Sequence, residues 1–247
     1  MLTIQELSKK FDQNFVVNQF DLTIQPHEIV AIAGPNGAGK TTIINCLLGI
    51  TSPTNGEIHL DDFPQHTKEF KKRMAYVPDE LLLPDALTGI EYIQFVNRMY
   101  ERESGKKTED LIELFDMQDA FKKPIETYSH GMKKKTQLIA AFMLNSQIIV
   151  LDEPFRGLDV EAIIMTKRLM EKYTEKGGSI LLATHDLLSA EAMCNRVAIL
   201  SRGMKVAEGH ANELKNQYDC KNLEEVFMKV SMLGERRERF EKIIDHF

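Results

Sequence analysis

Eight consecutive residues, Gly34, Pro35, Asn36, Gly37, Ala38, Gly39, Lys40 and Thr41, constrain this chain more than any others. They follow a known spacing: a glycine, four residues, then glycine, lysine and a hydroxyl side chain. Residues 28–33 before them read as a near-continuous apolar strand, the mark of a sheet covered on both faces. Residues 41–48 after them read as a helix ended by Gly49. Such a loop turns successive backbone N–H groups inward around an anion, and the helix start adds its own donors and positive dipole end. Lys40 can reach the outer phosphates of a nucleotide and Thr41 can ligate Mg²⁺, with Thr42 in the same binding stretch. The loop implies a nucleoside triphosphate without saying what its energy drives.

A second motif supplies the rest of phosphoryl-transfer chemistry. Residues 148–151 are an apolar strand, and Asp152 and Glu153 follow it at once, ahead of Pro154. In open parallel sheets the chemistry sits at the carboxyl ends of strands. Asp152 can hold Mg²⁺ through its water shell, which leaves Glu153 to orient and activate the attacking water.

The periodicity sets the architecture. Short strands are expected from alternation at Leu2, Ile4 and Leu7, at 15–17, and at Phe20, Leu22 and Ile24. Strands are also expected at 57–60, 73–78, 148–151, 179–183 and 197–200, with a hairpin-like turn at Arg202 and Gly203. Helices are expected at 85–100, 108–115, 131–144, 160–173 and 189–194. Taken with the glycine-rich loop, the alternation predicts an α/β fold: a P-loop NTPase core with a mostly parallel sheet, an antiparallel β-rich N-terminal part and an inserted helical subdomain. The expected division is a nucleotide-binding domain over 1–218, with its core at 1–84 and 145–218 and the helical insert at 85–144. A C-terminal helical segment covers 219–247, with Phe240, Ile243, Ile244 and Phe247 on one stripe.

Composition narrows the class. With 31 Lys and Arg against 37 Asp and Glu, the formal charge of −6 gives no support to a dedicated nucleic-acid surface, and no nucleic-acid partner is expected. Residues 1–7 carry no basic leader, and the longest apolar run, 138–144, falls far short of the roughly 20 residues that cross a bilayer. Cys46, Cys194 and Cys220 have no metal-ligand spacing, so a reducing, cytoplasmic setting is expected.

With both motifs in place, residues 2–215 resemble the nucleotide-binding subunit of an ATP-binding cassette (ABC) transporter, in the manner of bacterial exporter ATPases. The diagnostic segment begins at Tyr128, Ser129, His130, Gly131 and Met132, followed by Lys133, Lys134 and Lys135. The family form is Leu-Ser-Gly-Gly-Gln and then basic residues; Ser129 and Gly131 match, whereas Tyr128, His130 and Met132 depart. The resemblance implies that this segment starts a helix and closes over the γ-phosphate of a second subunit. Ser129 suits a helix N-cap and Gly131 permits close backbone approach. The three lysines read as a solvated helix face. Asp79 occupies the place of the family's loop glutamine, where it can reach Mg²⁺ but cannot donate as an amide does. The apolar stretch 81–87 lies where the family receives a helix of the membrane subunit, and core packing explains its leucines equally well. Asp159 matches the loop that communicates across the dimer, and it also reads as an N-cap. His185 matches the switch histidine at the γ-phosphate. Phe11 holds the place of an adenine-stacking aromatic, with Phe15 as a competitor and a core role as the alternative.

The resemblance implies a Mg²⁺-dependent ATPase working as a homodimer, or with a related ATPase subunit, at the cytoplasmic face of the membrane. Separate membrane permease subunits would move the substrate, with export as the expected direction. The alternative is a nucleotide-dependent regulatory or scaffold module with weak ATPase activity, which the departures at Asp79 and His130 favour and intact Glu153 and His185 oppose.

Overall fold

The structure, a computed structural model, describes residues 1–102 and 105–231. In chain order its strands are β1 (Leu2–Phe11), β2 (Asn14–Ile24), β3 (Ile29–Ala33), β4 (Asn55–Leu60), β5 (Phe63–Pro64), β6 (Met74–Val77), β7 (Ile148–Asp152), β8 (Ser179–Thr184), β9 (Arg196–Ser201) and β10 (Met204–Gly209). Its α-helices are α1 (Lys40–Leu47), α2 (Lys68–Lys72), α3 (Gly89–Met99), α4 (Lys106–Leu114), α5 (His130–Met143), α6 (Val160–Glu175), α7 (Leu187–Met193), α8 (Ala211–Gln217) and α9 (Leu223–Val230). The chain divides into two units, one of Met1–His66 with Leu182–Phe247, the other of Thr67–Leu181.

In the first unit β2, β1, β4 and β5 form an antiparallel sheet in that order. β1 and β2 join through Asp12 and Gln13, with Phe11 opposite Asn14. Two breaks in alternation have a physical cause. Ile4 and Leu7 are both buried although three residues apart, and so are Val17 and Phe20. Glu6 and Gln19 adopt left-handed backbone (φ 49° and 48°), and the register shifts between Ile4 and Leu7. An extra residue at each point returns the next apolar side chain to the core face.

The other sheet contributes strands to this unit in the order β10, β9, β3, β8. β3 is buried at all five positions and pairs in parallel with β9, Val30 opposite Arg196. β10 returns antiparallel through Arg202 (φ 50°) and Gly203 (φ 79°), the two left-handed residues a tight hairpin requires. Arg196 of β9 donates to Glu28 (2.6 Å) and Glu208 (2.9 Å), so its half-buried charge is neutralised.

In the second unit β6 and β7 are parallel neighbours, Met74 opposite Ile148 and Val77 opposite Leu151. The helical stretch expected over 85–144 falls in this unit as α3, α4 and α5, with 3₁₀ turns at Ala120–Lys122 and Ile125–Thr127. Caps move the expected starts. α3 begins at Gly89 rather than 85 because Thr88 accepts from Glu91 N (3.2 Å) while Glu91 accepts from Thr88 N (2.8 Å). In the first unit α7 begins at Leu187 rather than 189 because Asp186 accepts from Ser189 N (2.9 Å). α2 and α8 were not foreseen. The expected C-terminal helical segment is α9 in its described part; the stripe of Phe240, Ile243, Ile244 and Phe247 lies outside the described residues.

Candidate functional site: a phosphate loop and an acidic strand end

In the first unit the loop between β3 and α1 has the backbone its sequence demands. Gly37 and Gly39 are left-handed (φ 79° and 110°). A Cβ on Gly34 would stand 2.4 Å from the Leu200 carbonyl oxygen, and one on Gly39 2.9 Å from that of Val16, so side chains are excluded at both. Lys40 is buried (7% exposed), and its Nζ donates to the carbonyls of Gly34 (2.6 Å) and Pro35 (3.1 Å). Its ammonium thus sits inside the curve of the loop. The first ladder bond of α1 runs from Ile43 N to Gly39 O (3.0 Å), which leaves the N–H groups of Lys40, Thr41 and Thr42 ahead of the helical ladder. Thr41 is exposed at this helix start, as are Pro35, Asn36 and Gly37 in the loop, while Ala38 is buried.

Two further predicted residues belong to this unit. Gly34 N donates to Thr184 O (3.2 Å), so the end of β8 is fastened to the loop, and His185 follows immediately and is exposed. The β1–β2 hairpin also reaches the loop through Val16 and Gly39. Phe11 and Phe15 on that hairpin are 48% and 51% exposed, which excludes the core alternative for both. Lysine ammonium groups lie over the two rings, Lys9 at 4.9 Å from Phe11 and Lys10 at 5.6 Å from Phe15.

In the second unit β7 is buried throughout and ends at Asp152, 5% exposed. Glu153 takes a left-handed conformation (φ 45°), sparsely populated for a residue with a Cβ and of the kind that collects at functional sites. Sequence patterning carried no sign of it. The chain then turns through Gly157 (φ 77°) to Asp159, which caps α6 by accepting from Ala162 N (2.8 Å) and pairs with Lys135 (3.1 Å). These two contacts hold the Asp159 carboxyl below its ordinary range.

Asp79 meets Arg156 across this unit, Oδ2 accepting from Nη1 at 2.8 Å. Its other oxygen, Oδ1, is buried with no hydrogen-bond partner among the described residues, an atom that fits a cation. The hold of Arg156 on Asp79 crosses 77 residues of sequence, and no local pattern announces it.

The diagnostic segment caps and starts α5 as expected: Ser129 is exposed, and its Oγ accepts from Met132 N (3.3 Å). Tyr128 is buried and donates to Ala120 O (2.7 Å), and burial pushes its phenol up. A Cβ on Gly131 would lie 3.0 Å from Gly157 O, and one on Gly157 only 2.2 Å from His130 Nδ1, so His130 is packed on the Gly157 backbone.

The solvated face expected of Lys133, Lys134 and Lys135 is corrected. Lys134 is fully buried and donates to the carbonyls of Pro78 (2.7 Å) and Asp79 (3.2 Å). Gln137 adds a bond to Glu80 O (2.8 Å). Burial lowers the Lys134 pKa against the opposing pull of Asp79, Asp152 and Glu153. Lys133 and Lys135 are half-buried and paired with Asp85 (2.8 Å) and Asp159. A helix side facing carboxylates and loop carbonyls recruits lysines as readily as water does.

Comparison with known proteins decides the family: the ABC transporter family matches residues 17–156, from β2 through the acidic strand end to Arg156. The chain belongs to that family. It is 29% identical over 238 residues to the ABC-type transporter ATP-binding protein EcsA of Bacillus subtilis, covering 94% of this chain and 96% of the relative. It is 30% identical to a Nod factor export ATP-binding protein I of Cupriavidus metallidurans, covering 87% and 72%. A solved ATP-binding subunit of an ABC transporter superposes with a TM-score of 0.88 at 28% identity, covering 93% of this chain and 99% of that one. A more distant ATP-binding cassette, MJ0796, shares the fold (TM-score 0.77, 22% identity). The chain is thus an ATP-binding subunit of the ABC type. No helix among its described residues is long and apolar enough to cross a membrane.

Proposed function

We propose that this ABC subunit hydrolyses ATP with Mg²⁺ and couples the cycle of binding and hydrolysis to export through separate membrane subunits, at the cytoplasmic face. The observation that carries the reading is the end of β7, where buried Asp152 is followed by Glu153 in a left-handed turn. Gly34, Pro35, Asn36, Gly37, Ala38, Gly39, Lys40, Thr41 and Thr42 bind the phosphates, Lys40 by its ammonium and the rest by backbone N–H groups and hydroxyls. Thr41, Asp152 and Asp79 hold Mg²⁺, which neutralises phosphate charge when bound. Glu153 takes a proton from water as the water oxygen bonds to the γ-phosphorus. The bond from that phosphorus to the bridging oxygen of ADP breaks, releasing ADP and phosphate. His185 contacts the γ-phosphate, and Phe11 stacks on adenine.

Exposed Ser129, with Gly131 behind it, closes the site of a second copy or a related subunit, and Asp159 faces the same junction. Pairing of like surfaces lets one chain supply both halves of each site. Exposed Leu82 (78%), and Phe95 (49%) and Met99 (65%) one turn apart on α3, offer apolar side chains to a helix of the permease. The name of the Nod factor export relative supports the outward direction.

The experiment is ATP turnover by the purified chain with and without its permease. Glu153→Gln is expected to bind ATP, lose turnover at least a hundredfold and elute as a dimer with ATP on gel filtration. Lys40→Ala is expected to lose turnover. A Glu153→Gln protein that stays monomeric with ATP counts against the shared site. Near-zero wild-type turnover with the permease present favours the scaffold reading.

A further inference from the structure

Beside Asn145 and Ser146, just ahead of β7, lies a cavity of about 240 Å³ within the second unit. It is small beside drug-sized pockets. Three lysines line it, Lys107 of α4, Lys172 of α6 and Lys176 just past the end of α6. Lys172 is neutralised by Glu175 at 2.5 Å. Lys176 makes no ion pair among the described residues, and Lys107 donates only to the neutral side-chain oxygen of Asn145.

Favourable helix-end electrostatics account for Lys176, which caps the C-terminal end of α6, but not for Lys107. Lys107 is in the first turn of α4, where a cation opposes the helix dipole. It also lies close enough to Lys176 for the two charges to repel; burial and this repulsion together lower its pKa. Convergence of two unneutralised cations costs stability unless something negative joins them.

The second observation is independent of the lysines. Ser146 lines the same cavity and is only 5% exposed, yet its Oγ has no hydrogen-bond partner among the described residues. A buried hydroxyl without a partner is rare and signals a missing one. The remaining wall is apolar: Leu169, Phe142 and Tyr173, the two rings set edge to face at 5.7 Å.

We propose that this cavity binds a phosphomonoester with a flat apolar body, its dianionic head held by Lys107, Lys176 and the Ser146 hydroxyl and its body against Leu169, Phe142 and Tyr173. Two ammonium groups match the −1.5 to −2 charge of about neutral pH that such a head carries. The site lies where α5, α6 and β7 present the ends opposite those carrying Ser129, Asp159 and Asp152.

The test is calorimetric titration of the full chain with phenyl phosphate, with inorganic phosphate, benzoate and phenol as controls. Saturable binding of phenyl phosphate is expected, unchanged in Lys40→Ala and weakened at least tenfold in the Lys107→Gln/Lys176→Gln double variant. Neither lysine is part of the closed core, the environment of Lys107 being partly desolvated but its surface still accessible, so that variant is expected to fold, and phenyl phosphate should raise the unfolding midpoint of the wild type but not of the variant. Ser146→Ala should weaken binding several-fold. The proposal is overturned by absence of saturable binding, by equal binding in the double variant, or by loss in Lys40→Ala, which would place the anion on the phosphate loop. Benzoate or phenol binding as tightly would overturn the dianion, and inorganic phosphate binding as tightly would overturn the apolar body. No hydrolysis is measured, so the outcome is separate from that of the ATPase reading.

Discussion

Arg156 grips one oxygen of Asp79 at 2.8 Å and leaves the other buried without a hydrogen-bond partner among the described residues. The arginine is largely exposed, and such a pair contributes at most about 1 kcal/mol to folding. Its larger effect falls on what Asp79 can attract. Arg156→Gln is expected to leave the unfolding midpoint in urea nearly unchanged while lowering the Mg²⁺ concentration for half-maximal ATP turnover about fivefold, the equivalent of about 1 kcal/mol. Asp79→Asn should raise that concentration. In the Asp79→Asn background Arg156→Gln should do nothing more, and a double-mutant cycle reads this directly.

Gly157 is doubly constrained, by its left-handed φ of 77° and by His130 Nδ1 lying 2.2 Å from where a Cβ would be. Gly157→Ala is expected to destabilise by at least about 2 kcal/mol, of which the backbone accounts for about 1–2 kcal/mol. Adding His130→Gly should recover the steric part and leave the backbone part. Urea unfolding of the two variants separates these contributions; failure of His130→Gly to recover anything would show that the imidazole moves aside freely.

Lys134 is fully buried on the Pro78 and Asp79 carbonyls. Lys134→Met keeps most of the side-chain volume but removes charged hydrogen bonds, each worth about 1.5–3 kcal/mol, and regains part of that by relieving desolvation. A net loss of about 2 kcal/mol is expected in urea unfolding. Lys134→Gln should lose less, because its amide can still serve one of the two carbonyls.

Asp159 titrates below its ordinary range because the Ala162 N–H and Lys135 stabilise its charged form. A carboxyl depressed in the folded state adds stability above its unfolded pKa, and that stability is lost as pH falls through the folded value. The wild type is therefore expected to lose stability as pH drops below about 4. Asp159→Asn preserves a good cap but carries no titrating charge, so its acid limb should be shallower. Unfolding midpoints measured between pH 5 and pH 3 check the difference in slope.

The phosphate loop, the buried strands on either side of it and the acidic end of β7 were legible because glycine, lysine and carboxylate chemistry is local in sequence. The fold class followed from the same alternation. Leu2, Ile4 and Leu7 were read as simple alternation, and the extra left-handed residues at Glu6 and Gln19 that return Leu7 and Phe20 to the core face emerge only once the strands pair. Helix starts were misplaced at α3 and α7 where a cap, rather than the apolar period, sets the boundary. The burial of Lys134 and the grip of Arg156 on Asp79 were hidden for a different reason. Each joins segments far apart in sequence, and a lysine-rich helix face looks the same from its own turn whether water or a loop of carbonyls lies opposite.

Tyr128 has a mechanical consequence. Its hydroxyl is bonded to the Ala120 carbonyl, and any Cβ on Gly89 would strike it at 2.6 Å. The residue before Ser129 is therefore seated against the first turn of α3, so a displacement of α3 would have to carry Tyr128 with it or break that contact.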